Sequence, residues 1–383
     1  MECESTNRLE SIRQKARYSD QASRLKKRNI ARDVRRLHLD DVVKKLKVPS
    51  TEEFSRLSSQ LKRQKNVEIL QRIRLGLSSS QENITIFLNM QGALYSLIGC
   101  LTSHEASVER EAACTLVNIA LGTEKQCLEV CQRAGIYLIL QMTNTNPDLQ
   151  DPCAWCIGNL CGAHVSVCKL LMTQGVEDSL INLLNSHSPH VLQSTAYALM
   201  QYLSTVPERI KEMCKPNMVQ KLISALNHGD PVAEVGWCLF VLSMHQEMCS
   251  LLVDQGIIEA AFTVMEQLIN EQNLNFSAIT PVVRVVMNCV GVVPGTAVQV
   301  CYRSEQLVQV TKALLYSPYP HLRNEAIHLL ANVVNGASKE SLTGQCIVDD
   351  LSLQLRLECA VRSALAANFS SGPPDTTSFH GIL

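Results

Sequence analysis

A chain of 383 residues would ordinarily divide into two or three domains, and a hydrophobic content of 46% is ample for a large core. Only 4% of residues are aromatic, so that core is built from Leu, Val, Ile, Ala and Cys, which argues against a β-sandwich. The net charge of −1 conceals an asymmetry: residues 1–65 hold 18 Lys/Arg against 9 Asp/Glu, and the remainder holds 17 against 27. A basic arm on an acidic body either reaches an external acidic partner or folds back on the body itself. The arm has a single Tyr and a single Phe for base stacking and no zinc-finger spacing, so no nucleic-acid partner is expected. The N-terminus is polar and charged, so no secretory signal is expected.

Beyond the arm, apolar residues recur at helical spacing with no strand-like alternation, as in SVEREAACTLVNIALG, and the expected class is all-α. A weaker unit near Arg72 precedes a regular series. In that series a small or aromatic residue is followed four positions later by Asn or a stand-in. The six copies are Cys114/Asn118, Trp155/Asn159, Tyr197/Gln201, Trp237/Val241, Arg284/Asn288 and His328/Asn332, at steps of 41, 42, 40, 47 and 44. Positions four apart share one helical face, and this period falls in the armadillo or HEAT range. A turn residue leading into an apolar helix keeps the same register at Gly92, Gly135, Gly175, Asn217, Gly256 and Ser304. Two markers with one period predict a solenoid whose paired positions line up as a ladder, with each repeat packing on its neighbours.

Several chemistries are excluded. There is no P-loop, G-x-S-x-G or H-E-x-x-H motif, so no enzyme activity, cofactor or metal is expected. Sixteen cysteines include Cys153-Ala-Trp-Cys156, but that run sits inside an apolar repeat helix without a second C-x-x-C. Unpaired Cys behaves as a small buried hydrophobe, and so many thiols imply a reducing compartment. The apolar run from Ala278 to Val300 contains Arg284 and Asn288, and a charge costs about 2.5–3.5 kcal/mol at the centre of an inserted helix. It reads as a repeat helix, and no membrane span is expected.

The arm and the ladder together resemble the importin-α family over about residues 13–340. Leu25-Lys26-Lys27-Arg28-Asn29-Ile30, with Arg13, Lys15, Arg17 and Arg24 ahead of it, is similar to the segment that closes the family's importin-β-binding arm. The segments EREAACTLVNIALGT, CAWCIGNLCG, TPVVRVVMNCVGV and LRNEAIHLLANVVNG resemble successive family repeats, and Arg284 stands in the repeat where the family also places Arg. The resemblance implies an all-α armadillo-repeat, right-handed superhelical solenoid with a basic N-terminal helical arm. Residues 1–48 would form the arm, 49–367 about seven repeats with the last incomplete near Leu351–Ala367, and 368–383 a disordered tail. The family continues for several further repeats beyond this point.

The family's chemistry assigns roles to the ladder. Asn side chains clamp an extended peptide backbone, and indole faces between them sandwich Lys stems with a cation–π attraction of about 0.5–2 kcal/mol each. By that resemblance the peptide-binding positions are Asn118, Trp155, Asn159, Tyr197, Gln201, Trp237, Arg284, Asn288, Glu325, His328 and Asn332. Only Trp155/Asn159 is a complete pair. Cys114 replaces a Trp, Val241 replaces an Asn, and Ala163 stands where the family places the Asp that binds the central lysine. The lysine-rich major site is thus dismantled, while Asn288, Glu325 and Asn332 keep the family's minor-site residues. The resemblance further implies an importin-β-like receptor for the arm, basic or extended cargo segments for the groove, and residence in cytoplasm and nucleus. The alternative is an armadillo scaffold outside transport whose arm occupies its own acidic groove.

Overall fold

The computed structural model describes residues 43–340 apart from 44, 228, 230, 271–275, 294, 302–303 and 318. The arm residues Arg13, Lys15, Arg17, Arg24, Lys26, Lys27 and Arg28 lie outside the described residues, as do the Leu351–Ala367 stretch and the tail. The described residues are helical, with no strand among them. The chain forms two compact units that divide between Gln174 and Gly175.

In the first unit α1 (Thr51–Gln60), α2 (Val67–Ser79), α3 (Gln81–Asn89) and α4 (Ala93–Ile98) lead into α5 (Ala106–Ile119), α6 (Glu124–Met142), α7 (Pro147–Cys161) and α8 (Val165–Thr173). Local sequence sets these boundaries. Ser50 caps α1 by accepting from the Glu53 N–H, and Thr123 and Gln126 form a reciprocal capping box on α6. Pro147 opens α7 at a position where no N–H is needed. Long helices α2, α5 and α7 stack in succession, while α6 packs on α7 and α8. Gly76 permits the closest approach: a Cβ there would lie 2.3 Å from Cδ2 of the fully buried Phe54 ring. Val43 and Leu46 pack against Leu75 of α2.

The second unit contains α9 (Val176–Leu183), α10 (Pro189–Thr205), a 3₁₀ turn (Pro207–Arg209), α11 (Ile210–Met213) and α12 (Pro216–Ala225). It continues with α13 (Val232–Ser243), α14 (Gln246–Asp254), α15 (Ile257–Asn270), α16 (Phe276–Val292), α17 (Thr296–Cys301), α18 (Ser304–Leu315) and α19 (Pro320–Glu340). Here α10, α13, α16 and α19 stack in order, each on the next. The run Ala278 to Val300 is interrupted, since α16 ends at Val292 and Gly295 turns with φ 77° before α17. No single helix among the described residues is long and apolar enough to cross a membrane. The pair α14 and α15 reaches that length only jointly, and bends by 78° between its members.

The turn marker held at three of its six positions. Gly92, Gly175 and Gly256 adopt φ of 78°, 85° and 82°, in the left-handed region that glycine reaches without a Cβ penalty. Gly135 does not turn: α6 runs unbroken through it, so two short helices of this repeat are fused into one. The neighbouring α8 accounts for the small residue, because a Cβ at Gly135 would meet the Gln174 amide at 2.2 Å. Asn217 and Ser304 are likewise no left-handed turns. Asn217 lies within the first turn of α12 behind Pro216, and Ser304 is the first residue of α18.

One ion-pair network ties the 3₁₀ turn to α9. Arg209 donates from Nε and Nη2 to the two carboxylate oxygens of Glu177, each at 2.7 Å, and the Tyr202 hydroxyl donates to Oε1 at 2.6 Å. The Arg209 hydrogen bonds, followed by that of Tyr202, hold the Glu177 carboxyl below its ordinary value of 4.5, against the opposing effect of burial. A depressed carboxylate pKa contributes stability above its unfolded value, and that contribution is lost as pH falls through the folded value. Glu177→Gln is therefore expected to lower stability at pH 7 by about 1–2 kcal/mol and to flatten the acid limb of a stability–pH profile recorded by urea melts. An acid limb identical to that of the parent would show the network adds nothing.

Candidate functional site

Stacking helices in register carries one side-chain bond from repeat to repeat. In the first unit Asn118 Nδ2 donates to the Arg74 carbonyl at 3.1 Å, and Asn159 Nδ2 to the Val117 carbonyl at 3.1 Å. In the second unit Asn288 Nδ2 donates to Ser243 Oγ at 2.9 Å, and Asn332 Nδ2 to the Met287 carbonyl at 3.1 Å. The ladder amides thus serve first as stitches between neighbouring helices, a use that sequence spacing did not reveal. An amide has two N–H donors and one acceptor oxygen, so a single such bond does not exhaust it.

Exposure separates the two units. Asn118 is 2% exposed, Trp155 4% and Asn159 5%, so the one complete Trp/Asn pair is enclosed rather than open to a groove. Tyr197 is also buried, and so is Val241. By contrast Gln201, Trp237, Arg284, Asn288 and Asn332 are half-buried and His328 is exposed. The structure therefore gathers the accessible ladder residues on α10, α13, α16 and α19 of the second unit. The enclosed Asn118, Trp155 and Asn159 stand in the first.

The centre of the accessible set is a cation held between aromatic and acidic groups. Arg284 donates from Nε to Glu325 at 2.7 Å, and its Nη2 lies 2.5 Å from the same carboxylate oxygen. The guanidinium carbon sits 5.8 Å from the ring centres of both Trp237 and Phe240, within cation–π range. The two rings meet edge to face at 5.6 Å and 87°. Gly236 makes this possible, since a Cβ there would lie 3.0 Å from Pro281 Cγ and hold α13 away from α16. Glu325 is thus already bonded within the chain. Sequence reading missed Phe240 and Ser243, although each lies three or six residues past Trp237 on the same helix.

A second cross-repeat pair lies in the first unit, where Arg74 Nε is 2.5 Å from Glu111 Oε1 with the side chains 3% and 2% exposed. The neighbouring Cys114 thiol is pushed up to about 11, by burial above all and partly offset by Arg74. Burial likewise holds Cys153 and Cys156 well above their ordinary range, so neither presents a thiolate at neutral pH. Among the described residues no group of three or more His, Cys, Asp or Glu is arranged to hold a metal ion. Ala163 lies two residues past the end of α7, where its N–H donates to the Leu160 carbonyl at 3.1 Å.

No family model matches the chain. It is 24% identical to importin subunit alpha-9 of Arabidopsis thaliana over 286 residues, 72% of this chain and 54% of the relative. The chain thus spans about half the length of that relative. Among solved structures, an engineered protein superposes with TM-score 0.64 at 21% identity, over 84% of this chain and 79% of its own. A designed armadillo repeat protein in complex with the peptide (KR)4 superposes with TM-score 0.50 at 19% identity, over 62% of this chain and 99% of its own. The fold is that of armadillo-repeat proteins. The sequence similarity is to importin-α proteins, at low identity.

Proposed function

We propose that this chain is a non-enzymatic, importin-α-like adaptor in protein import into the nucleus. The basic arm, residues 1–48, binds an importin-β-like receptor, and a protein segment lies along the ladder of α10, α13, α16 and α19. The observation that carries the reading is the set of accessible, amide-bearing ladder residues Gln201, Asn288 and Asn332 on three of the four stacked helices, α10, α16 and α19, with Val241 interrupting it on α13. Such a set offers amide donors and acceptors spread along a stack of helices, as recognition of an extended backbone requires, rather than a pocket for a small molecule. Low-identity similarity to importin subunit alpha-9 over 72% of the chain supports the transport assignment. So does the resemblance of AYALMQYL, VAEVGWCLFVLS and PVVRVVMNCV to segments of the importin-α-like transmembrane and coiled-coil domain-containing protein 6. On this reading the protein works in cytoplasm and nucleus.

A second reading is favoured by one particular: Glu325 is engaged by Arg284, and Ala163 offers no carboxylate. A scaffold outside transport, with the arm lying on its own acidic body, would need no lysine pockets. Binding of purified importin-β to the full chain separates the two. The transport reading expects micromolar or tighter binding that falls at least about tenfold when Lys26, Lys27 and Arg28 are replaced by Ala, since each charge-assisted contact contributes about 1.5–3 kcal/mol. No binding by the parent chain, or binding unchanged by the triple replacement, overturns the transport reading.

A further inference from the structure

We infer that Arg284 is a built-in occupant of a cation site made by Trp237, Phe240 and Glu325. This rests on reading the second unit's ladder as a peptide groove, and it adds which segments the groove accepts at this rung. The parts of a basic-side-chain pocket are all present. Two aromatic rings on α13 sit edge to face at 5.6 Å, and a carboxylate on α19, two helices along the stack, meets the same guanidinium from the other side of α16. What fills the place of a ligand cation is the chain's own guanidinium, at 5.8 Å from both rings and 2.7 Å from the carboxylate. Its side chain is 24% exposed and that of Glu325 9%, so the occupant reaches the surface while the carboxylate lies beneath it.

The consequence is selectivity by exclusion. A Lys or Arg side chain arriving at this rung would meet a like charge instead of a free carboxylate, and like-charge contacts are how binding surfaces reject wrong partners. A bound segment therefore carries no basic side chain opposite Trp237. Its affinity comes from backbone bonds to neighbouring amides rather than from lysine capture at this point.

Deleting the occupant converts exclusion into acceptance. Arg284→Ala removes the side chain beyond Cβ, and ethylguanidinium supplies the deleted atoms. Ethylguanidinium chloride at millimolar concentration, compared with equal sodium chloride, should raise the melting temperature of Arg284→Ala. It should not raise that of the parent or of Arg284→Ala/Glu325→Gln. In parallel, labelled (KR)4 should bind Arg284→Ala at least about tenfold more tightly than the parent, and the gain should vanish with Glu325→Gln. Ethylguanidinium without effect on a folded Arg284→Ala, or a gain that survives Glu325→Gln, overturns the inference. If Arg284→Ala does not fold, its recovery by ethylguanidinium but not by sodium chloride supports the site. Failure to recover, together with unchanged (KR)4 affinity in a folded Arg284→Gln, overturns it. Rescue by ethylguanidinium with no peptide binding by any form upholds the cation site and overturns the groove reading, so the two fail separately.

Discussion

Replacing Glu111 by Ala is expected to destabilise the first unit by about 3–5 kcal/mol. The reason is burial. Arg74 and Glu111 are 3% and 2% exposed and meet at 2.5 Å across stacked helices α2 and α5. Removing the carboxylate takes from a guanidinium that is 3% exposed the anion it meets at 2.5 Å, and that buried charge sets the magnitude. The pair's net worth is a separate quantity, because desolvation opposes its Coulomb attraction. Arg74→Met combined with Glu111→Leu should accordingly recover most of the loss. Repeat proteins unfold in stages, so the readout is urea melting together with hydrogen exchange of α2 and α5 amides. A Glu111→Ala loss under about 1 kcal/mol would place the pair in solvent and contradict the burial.

Trp155→Ala is expected to cost about 3–5 kcal/mol in the same unit, with Trp237→Ala much milder. The two residues occupy the same ladder position, and by resemblance both would line a peptide groove. Their surroundings differ: Trp155 is 4% exposed on α7, whereas Trp237 is half-buried beside Arg284. A buried indole deleted to a methyl leaves a void, and the loss scales with how poorly neighbours collapse into it. Paired urea melts of the two variants decide the matter. Equal and small losses would return Trp155 to an open surface. A large loss for Trp155 alone makes it a core residue of the repeat.

Much of the architecture was legible in the sequence because a solenoid repeats its own signal. The step between Cys114 and Trp155, and the later steps, mark positions on α5, α7, α10, α13, α16 and α19, and the stacking of α5 on α7 in the first unit and of α10, α13, α16 and α19 in the second follows from the period. The local punctuation was less legible. Gly135 reads as a turn, yet it serves helix packing against Gln174, since small size and positive φ call for the same residue. Nor does spacing report depth. A helical face four residues apart is the same face whether it opens to solvent, as at His328, or is enclosed, as at Trp155 and Asn159. Pairings such as Arg284 with Glu325 arise only when helices 41 residues apart are set side by side. The presence of both residues was visible, but their mutual neutralisation was not.

On the proposed function, extended segments bind along the ladder of the second unit through its amides. The most direct measurement is the binding of an array of extended peptides by the parent chain and by Asn288→Ala/Asn332→Ala. Each Asn also stitches neighbouring helices, through Ser243 and the Met287 carbonyl, so melting temperature is recorded alongside. A folded double variant is expected to lose about tenfold or more in affinity for every peptide that the parent retains, irrespective of side-chain sequence, because backbone contacts are removed. A folded double variant that keeps the parent's peptides at the parent's affinities would contradict that function.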